Sequence, residues 1–153
     1  MYTADQIANY FLERYGAKGN ITPMKLIKLV YIAHGWYLGL TDQALIAENP
    51  EAWKYGPVIP SLYQRFKVYK NNPINWTNNS NYSTGNQSLD QFLDRIWSVY
   101  GQYSGTELSA KTHMPGTPWD KTWNDLKKQN RSSLQISDFD IKNHYKQLLM
   151  NNG

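Results

Sequence analysis

Between Ile21 and Leu40 the apolar positions leave almost no polar face. Thr22 is a side chain suited to capping a helix, and Pro23 suits the first helical position, where its missing N–H would have had no helical partner. The pattern therefore predicts a helix from Pro23 onward. At about 100° per residue its only two charges, Lys25 and Lys28, fall in one sector of about 60°. Met24, Leu26, Ile27, Leu29, Val30, Tyr31 and Leu38 cover the rest. Such a helix belongs inside a protein, and it is too short and too lysine-bearing to cross a bilayer. Gly39 reads as its C-terminal cap, and the sector around Lys25 and Lys28 as its exposed edge.

The remaining periodicity is also helical. Thr3 and Gln6 form a capping-box pair ahead of a helix over 4–15, where Ile7, Phe11 and Tyr15 repeat on one face before Gly16. Residues 45–48 and 51–55 are short apolar-containing pieces about Asn49-Pro50, which leave room for a small β-hairpin. Gly56, Pro57 and Pro60 predict a rigid bend, followed by a helix over 61–70 with Leu62, Phe66 and Tyr69 inward and Pro73 as its stop. Residues 71–87 are dominated by Asn, Ser and Thr and read as a flexible surface loop, too poor in apolar residues to pack.

Ser88 with Gln91 predicts the start of a fourth helix, whose Leu89, Phe92, Leu93, Ile96, Trp97 and Tyr100 recur at three and four before Gly101. Ser104 and Glu107 cap a short helix through His113, and Thr117-Pro118 starts a sixth carrying Trp119, Trp123 and Leu126. Ser137 caps the last, with Phe139, Ile141, Tyr145, Leu148 and Leu149 as its buried side and an Asn-Asn-Gly tail expected to fray. The fold class predicted is mainly α, a bundle of about seven helices around a buried central helix.

A length of 153 residues fits one domain, 1–153, able to bury a single core. Six Trp and twelve Tyr supply core volume and leave aromatic surface for partners. Zero cysteines remove disulfides, thiolate metal sites and cysteine nucleophiles, which suits a reducing compartment. Residues 3–15 lack the basic start and continuous apolar run of a signal peptide, so the sequons at Asn75, Asn78, Asn81 and Asn86 read as part of an asparagine-rich loop. A formal charge of +4 is mild and spread along both halves, so nucleic-acid binding gains no support from it.

The three histidines, His34, His113 and His144, are too far apart for a local ligand motif, so no metal site is predicted. His34 lies on the apolar side of the central helix and reads as a hydrogen-bonded core residue, His113 as a loop anchor, and His144 as solvent-facing. No phosphate loop, nucleophile elbow or suggestive carboxylate pair appears. The segment from Glu51 to Tyr63 instead crowds Trp53, Tyr55 and Tyr63 around a proline-stiffened turn. That is a core loop or a recognition surface, and with neighbouring Arg65 it supplies the residue types that dominate interface energy.

Several of these pieces, in this order, resemble the Panacea domain of SocA-like antitoxins and GepA-like phage-associated proteins. The central helix from Met24 to Leu38 is similar to the family's leading signature. Residues 45–48, 51–63 and Phe66-Lys67 follow at similar distances, then 96–101, 104–108 and Thr112-His113 with Pro118-Trp119. The resemblance covers roughly residues 1–123. It implies a mostly helical cytoplasmic protein of a bacterium or prophage that neutralises a cognate toxin by protein–protein contact, without a cofactor; the residues themselves predict no catalytic residue, no metal and no membrane. Either it covers the toxin's active surface or it delivers the toxin to a protease system.

Trp53, Tyr55, Tyr63 and Arg65 are then the candidate partner-binding residues, with Lys25 and Lys28 as the alternative face. The competing reading is a nucleic-acid-binding transcriptional regulator, which requires Lys67, Lys70, Lys127, Lys128 and Arg131 on one face. A weaker one is a hydrolase or transferase using His113 and Glu107.

Overall fold

The structure is a computed structural model that describes residues 1–76, 79–129 and 134–152. Among them lie seven α-helices: α1 (Ala4–Tyr15), α2 (Pro23–Thr41), α3 (Pro60–Phe66), α4 (Gln87–Tyr100), α5 (Gly105–Thr112), α6 (Pro118–Gln129) and α7 (Asp138–Asn152). One short antiparallel hairpin joins them, β1 (Glu51–Trp53) with β2 (Gly56–Val58). The expected mainly α fold around a buried central helix is the one observed.

Thr22 caps α2 by accepting the Lys25 N–H, and Pro23 occupies the first turn. The helix does not stop at Gly39. It continues to Thr41 and closes at Asp42, whose φ of 62° and N–H bond to the Leu38 carbonyl form the cap. Gly39 answers to packing instead. A Cβ there would lie 2.9 Å from Tyr145 Cβ, and one on Gly35, a turn earlier, 2.2 Å from the Tyr145 ring. The two glycines thus form the notch through which α7 crosses the central helix.

On α7, Ile141 and Tyr145 are buried as expected, and Leu148 is half-buried. Phe139 and Leu149 are exposed, correcting the predicted inner face. Phe139 stands about 200° around the helix from Ile141, so a stripe that meets α2 cannot hold both. Ser137 accepts the Asp140 N–H as the expected cap, and the helix runs on through Asn152. His34 is fully buried, as expected of a core histidine. Its Nδ1 accepts the Ile46 N–H, so Nε2 carries the hydrogen that reaches Asp138 Oδ1 at 2.9 Å, joining α2 to the start of α7.

The expected capping boxes at Thr3/Gln6 and Ser104/Glu107 are both formed. The fourth helix is capped by Asn86 rather than Ser88, because the Asn86 side chain takes the Leu89 N–H. Packing of α4 on α1 centres on Asp94, which accepts from Tyr10 at 2.8 Å, Tyr15 at 2.5 Å and Arg14 at 3.3 Å, while Tyr15 stacks on Trp97. The asparagine-rich stretch packs more than its composition suggests. Ile74 is buried with its N–H on the Ile21 carbonyl, and Tyr82 meets the edge of Tyr10. Asn78 lies outside the described residues.

Candidate partner-binding groove

The hairpin turns at Lys54-Tyr55, not at Asn49-Pro50, and Gly56 and Pro57 belong to its second strand. Gly56 carries a φ of 117°, a conformation L side chains rarely adopt, and a Cβ there would sit 3.2 Å from Lys28 Nζ. The predicted turn failed because residues 45–48 pair elsewhere, Ile46 bridging to Tyr2. On its other edge β1 receives the segment 134–136, through Ala52 N–H to Leu134 O and Ile136 N–H to Pro50 O.

Three alternate carbonyls of this hairpin are held from three different helices. Trp119 Nε1–H on α6 donates to Trp53 O at 2.6 Å, Ser109 Oγ–H on α5 to Tyr55 O at 2.5 Å, and Lys28 Nζ on α2 to Pro57 O at 2.6 Å. His113 packs its ring edge against Trp119 at 5.3 Å and donates Nδ1–H to the Ser109 carbonyl, the anchoring role expected of it. With its backbone tied inward, the turn leaves its aromatics outward: Tyr55 is 63% exposed and Tyr63 40%, and Trp53 meets Tyr63 edge-on at 5.1 Å. Together they wall a groove of about 390 Å³, with Met24 and Ile27 of α2 on its other side. Trp53, Tyr55 and Tyr63 are therefore brought together at the surface, Tyr55 and Tyr63 exposed and Trp53 half-buried against the core beneath them.

Arg65 is not part of that surface. It points toward α1, pairing with Asp5 at 3.0 Å and lying over the Phe66 ring. Lys25 and Lys28 are not an exposed edge either: both are buried, at 3% and 2% exposure. The N-terminus of α5 covers that sector so closely that a Cβ on Gly105 would lie 2.9 Å from the Lys25 nitrogen. The Lys25 ammonium reaches the Gly101 carbonyl at 2.6 Å across the Trp97 face, and burial lowers its pKa, with Glu107 acting in the opposite sense. Lys28 lines the groove from beneath, and burial brings its pKa down to about 7.

That shift has a sign that can be measured. The unfolded chain keeps Lys28 protonated up to its ordinary value of 10.5, so between pH 7 and 9 the unfolded state binds the extra proton and stability rises with pH. The expected rise is about 2 kcal/mol over that window relative to Lys28→Met, read from urea unfolding at each pH. Equal slopes in the two proteins would show that the ammonium is solvated.

Sequence reasoning passed over Ser109 and Trp119, which support the turn, and over Met24 and Lys54 in the groove wall. The Thr112-His113 and Pro118-Trp119 motifs marked the right neighbourhood without saying what it held. His144 is half-buried rather than solvent-facing, and burial lowers its pKa. Glu107 accepts the Ser104 N–H in its capping box, and His113 is tied through Nδ1 to the Ser109 carbonyl. Lys67 and Lys70 do lie together on the groove. The side chains of Lys127 and Lys128, and all of Arg131, lie outside the described residues, as does Gly153. Among the described residues no three His, Asp or Glu side chains gather where a metal ion could sit. No helix there is long and apolar enough to cross a membrane.

A family model for the SocA-like antitoxin, Panacea domain, matches residues 26–120, which take in all but the first three residues of α2, the hairpin, α3, α4, α5 and the start of α6. The chain belongs to the SocA-like antitoxin family. A curated relative, Antitoxin SocA of Caulobacter vibrioides (strain NA1000 / CB15N), is 30% identical over 156 residues, covering 94% of this chain and 82% of the relative. No solved structure matches. In this Panacea domain the matched region contains all three aromatics of the groove and all three donors that hold the hairpin, Lys28, Ser109 and Trp119.

Proposed function

We propose that this protein is the antitoxin of a toxin–antitoxin pair, that it acts in the cytoplasm by binding its cognate toxin, and that it performs no catalysis. The family and the Caulobacter relative's name support the antitoxin role. The observation that carries the binding site is the aromatic wall of exposed Tyr55 and Tyr63 with half-buried Trp53, built on and beside a hairpin whose carbonyls are already held by Trp119, Ser109 and Lys28. A surface with little conformational freedom left to lose gives up less entropy on association, and Trp and Tyr are the side chains that concentrate interface energy. Masking the toxin's active surface and handing the toxin to a protease system both begin with this complex.

The test uses the toxin encoded beside this gene. Tyr63→Ala is expected to weaken toxin binding by about 1–3 kcal/mol and to lower growth rescue on co-expression, while its own unfolding midpoint stays near that of the wild type. Tyr63 is part-exposed at the rim, so truncation removes a contact without opening the core. Rescue lost only in proportion to lost stability would assign these aromatics to packing. A wild-type protein that neither binds nor rescues would overturn the antitoxin reading itself.

A further inference from the structure

We propose that the groove receives an acidic segment of the toxin, apolar residues packing on its aromatic wall and one Asp or Glu side chain seated against the Lys28 ammonium. This rests on the antitoxin reading above and specifies the chemistry of the partner.

Among the described residues that line the groove the charge has one sign. Lys28 lies at its base, Lys54 on the hairpin turn, and Lys67 and Lys70 at the far end of α3, and no Asp or Glu is among the residues that line it. Glu51, on β1, is turned to the Trp53 indole N–H at 3.0 Å. Lys67 and Lys70 are exposed, and Lys54 lies over the Tyr55 ring at the groove's rim. The three rim ammoniums repel one another, and Lys28 adds to that field whenever it is protonated, until a negative partner enters; the same field steers such a partner in.

Lys28 adds depth to this charge. An ammonium has three N–H donors, and among the described residues this one has a single acceptor, Pro57 O, although the side chain is only 2% exposed. A buried cation with donors to spare favours a carboxylate that can reach it. Among the described residues, the titratable groups that share the groove with it are Tyr55, Lys54, Tyr63, Lys67 and Lys70, with His113 on the far side of Gly56. None supplies a negative charge at neutral pH. An extended peptide can lay one carboxylate into a groove of about 390 Å³ while its neighbours cover Met24 and the aromatics. A nucleic-acid duplex is too broad to enter and would meet the rim lysines alone.

Calorimetry of the wild-type protein with the toxin encoded beside it reads this directly. At pH 8 free Lys28 is mostly neutral, its pKa lying at about 7, and a carboxylate beside it restores the charge. Titrations in buffers of different ionisation enthalpy should therefore show uptake of close to one proton per complex, and Lys28→Met should abolish it. That control also separates Lys28 from His113. Should Lys28→Met fail to fold, the surface variant Lys67→Glu/Lys70→Glu carries the test. It should bind the toxin roughly tenfold or more weakly in dilute salt and lose most of the wild type's salt dependence.

Binding with no proton uptake, together with full binding and rescue by Lys67→Glu/Lys70→Glu, overturns the acidic-segment proposal and leaves the antitoxin reading standing. Absence of wild-type binding and rescue overturns both. Tighter binding of mixed-sequence duplex DNA than of the toxin, abolished by the same two charge reversals, assigns the groove to nucleic acid and also overturns it.

Discussion

Val30→Asp is expected to leave the protein unfolded at 25 °C. Val30 is fully buried on α2, which packs against α1, α3, α4, α5, α7 and the hairpin. Aspartate is close to valine in volume, so the change tests charge and not shape. Position 30 lies about 140° from Lys25 and 160° from Lys28 around the helix, out of reach of both ammoniums. An unpaired buried carboxylate costs several kcal/mol, against a total stability of about 5–15 kcal/mol for a domain. Val30→Ala is the control: removing two methyl groups from a filled core costs roughly 2–3 kcal/mol and should leave a cooperative transition. Far-UV circular dichroism and urea titration separate the two. An Asp variant that melts cooperatively at the wild-type midpoint would contradict the placement of α2 at the centre.

The second large effect is expected at the crossing of α2 and α7. Gly35→Ala places a Cβ 2.2 Å from Cε2 and 2.7 Å from Cζ of Tyr145, so the ring must move. It has little freedom to do so, being 5% exposed and packed edge-on against both Trp36 at 5.0 Å and His144 at 5.1 Å. Overpacking of this kind costs about 1–3 kcal/mol. Tyr145→Ala alone, by leaving a large void, costs about 3–5 kcal/mol. The double variant should be far less destabilised than the sum, since the alanine methyl then enters space the tyrosine has vacated. Additive losses in urea unfolding would mean that the two positions do not touch, and the notch that fixes α7 would have to lie elsewhere.

Tyr145 also shows why the candidate site was only partly legible. Trp53, Tyr55 and Tyr63 were identifiable because aromatic side chains around Gly and Pro are unusual within ten residues of chain, and the resemblance placed the same stretch in a family signature. Whether they faced inward or outward depended on what held the backbone beneath them. Those holders are Lys28, Ser109 and Trp119, which come from 25 residues before Trp53 to 66 after it. A carbonyl accepting from a side chain so distant leaves no local pattern to read. Arg65 lies away from the groove for the complementary reason, since Asp5, its partner, sits 60 residues away.

What the chain determined by itself were the features set by neighbours within a few residues. These are the Thr3/Gln6 and Ser104/Glu107 boxes, the start of α2 at Thr22-Pro23, the apolar spacing on α4, and the mainly α class. A cap or a helical stripe is a local hydrogen-bond or burial choice that three to five residues can express. Tertiary structure decided the rest. Gly39 looks like a helix end by itself and is a passage for Tyr145 in the fold. Lys25 and Lys28 look like a solvent edge, yet α5 and the hairpin lie over them, and their ammoniums reach the carbonyls of Gly101 and Pro57. A helical wheel records which side chains share a side and carries no information on which element packs there. A lysine's long apolar stem lets it satisfy burial while its charged head finds an acceptor on another element.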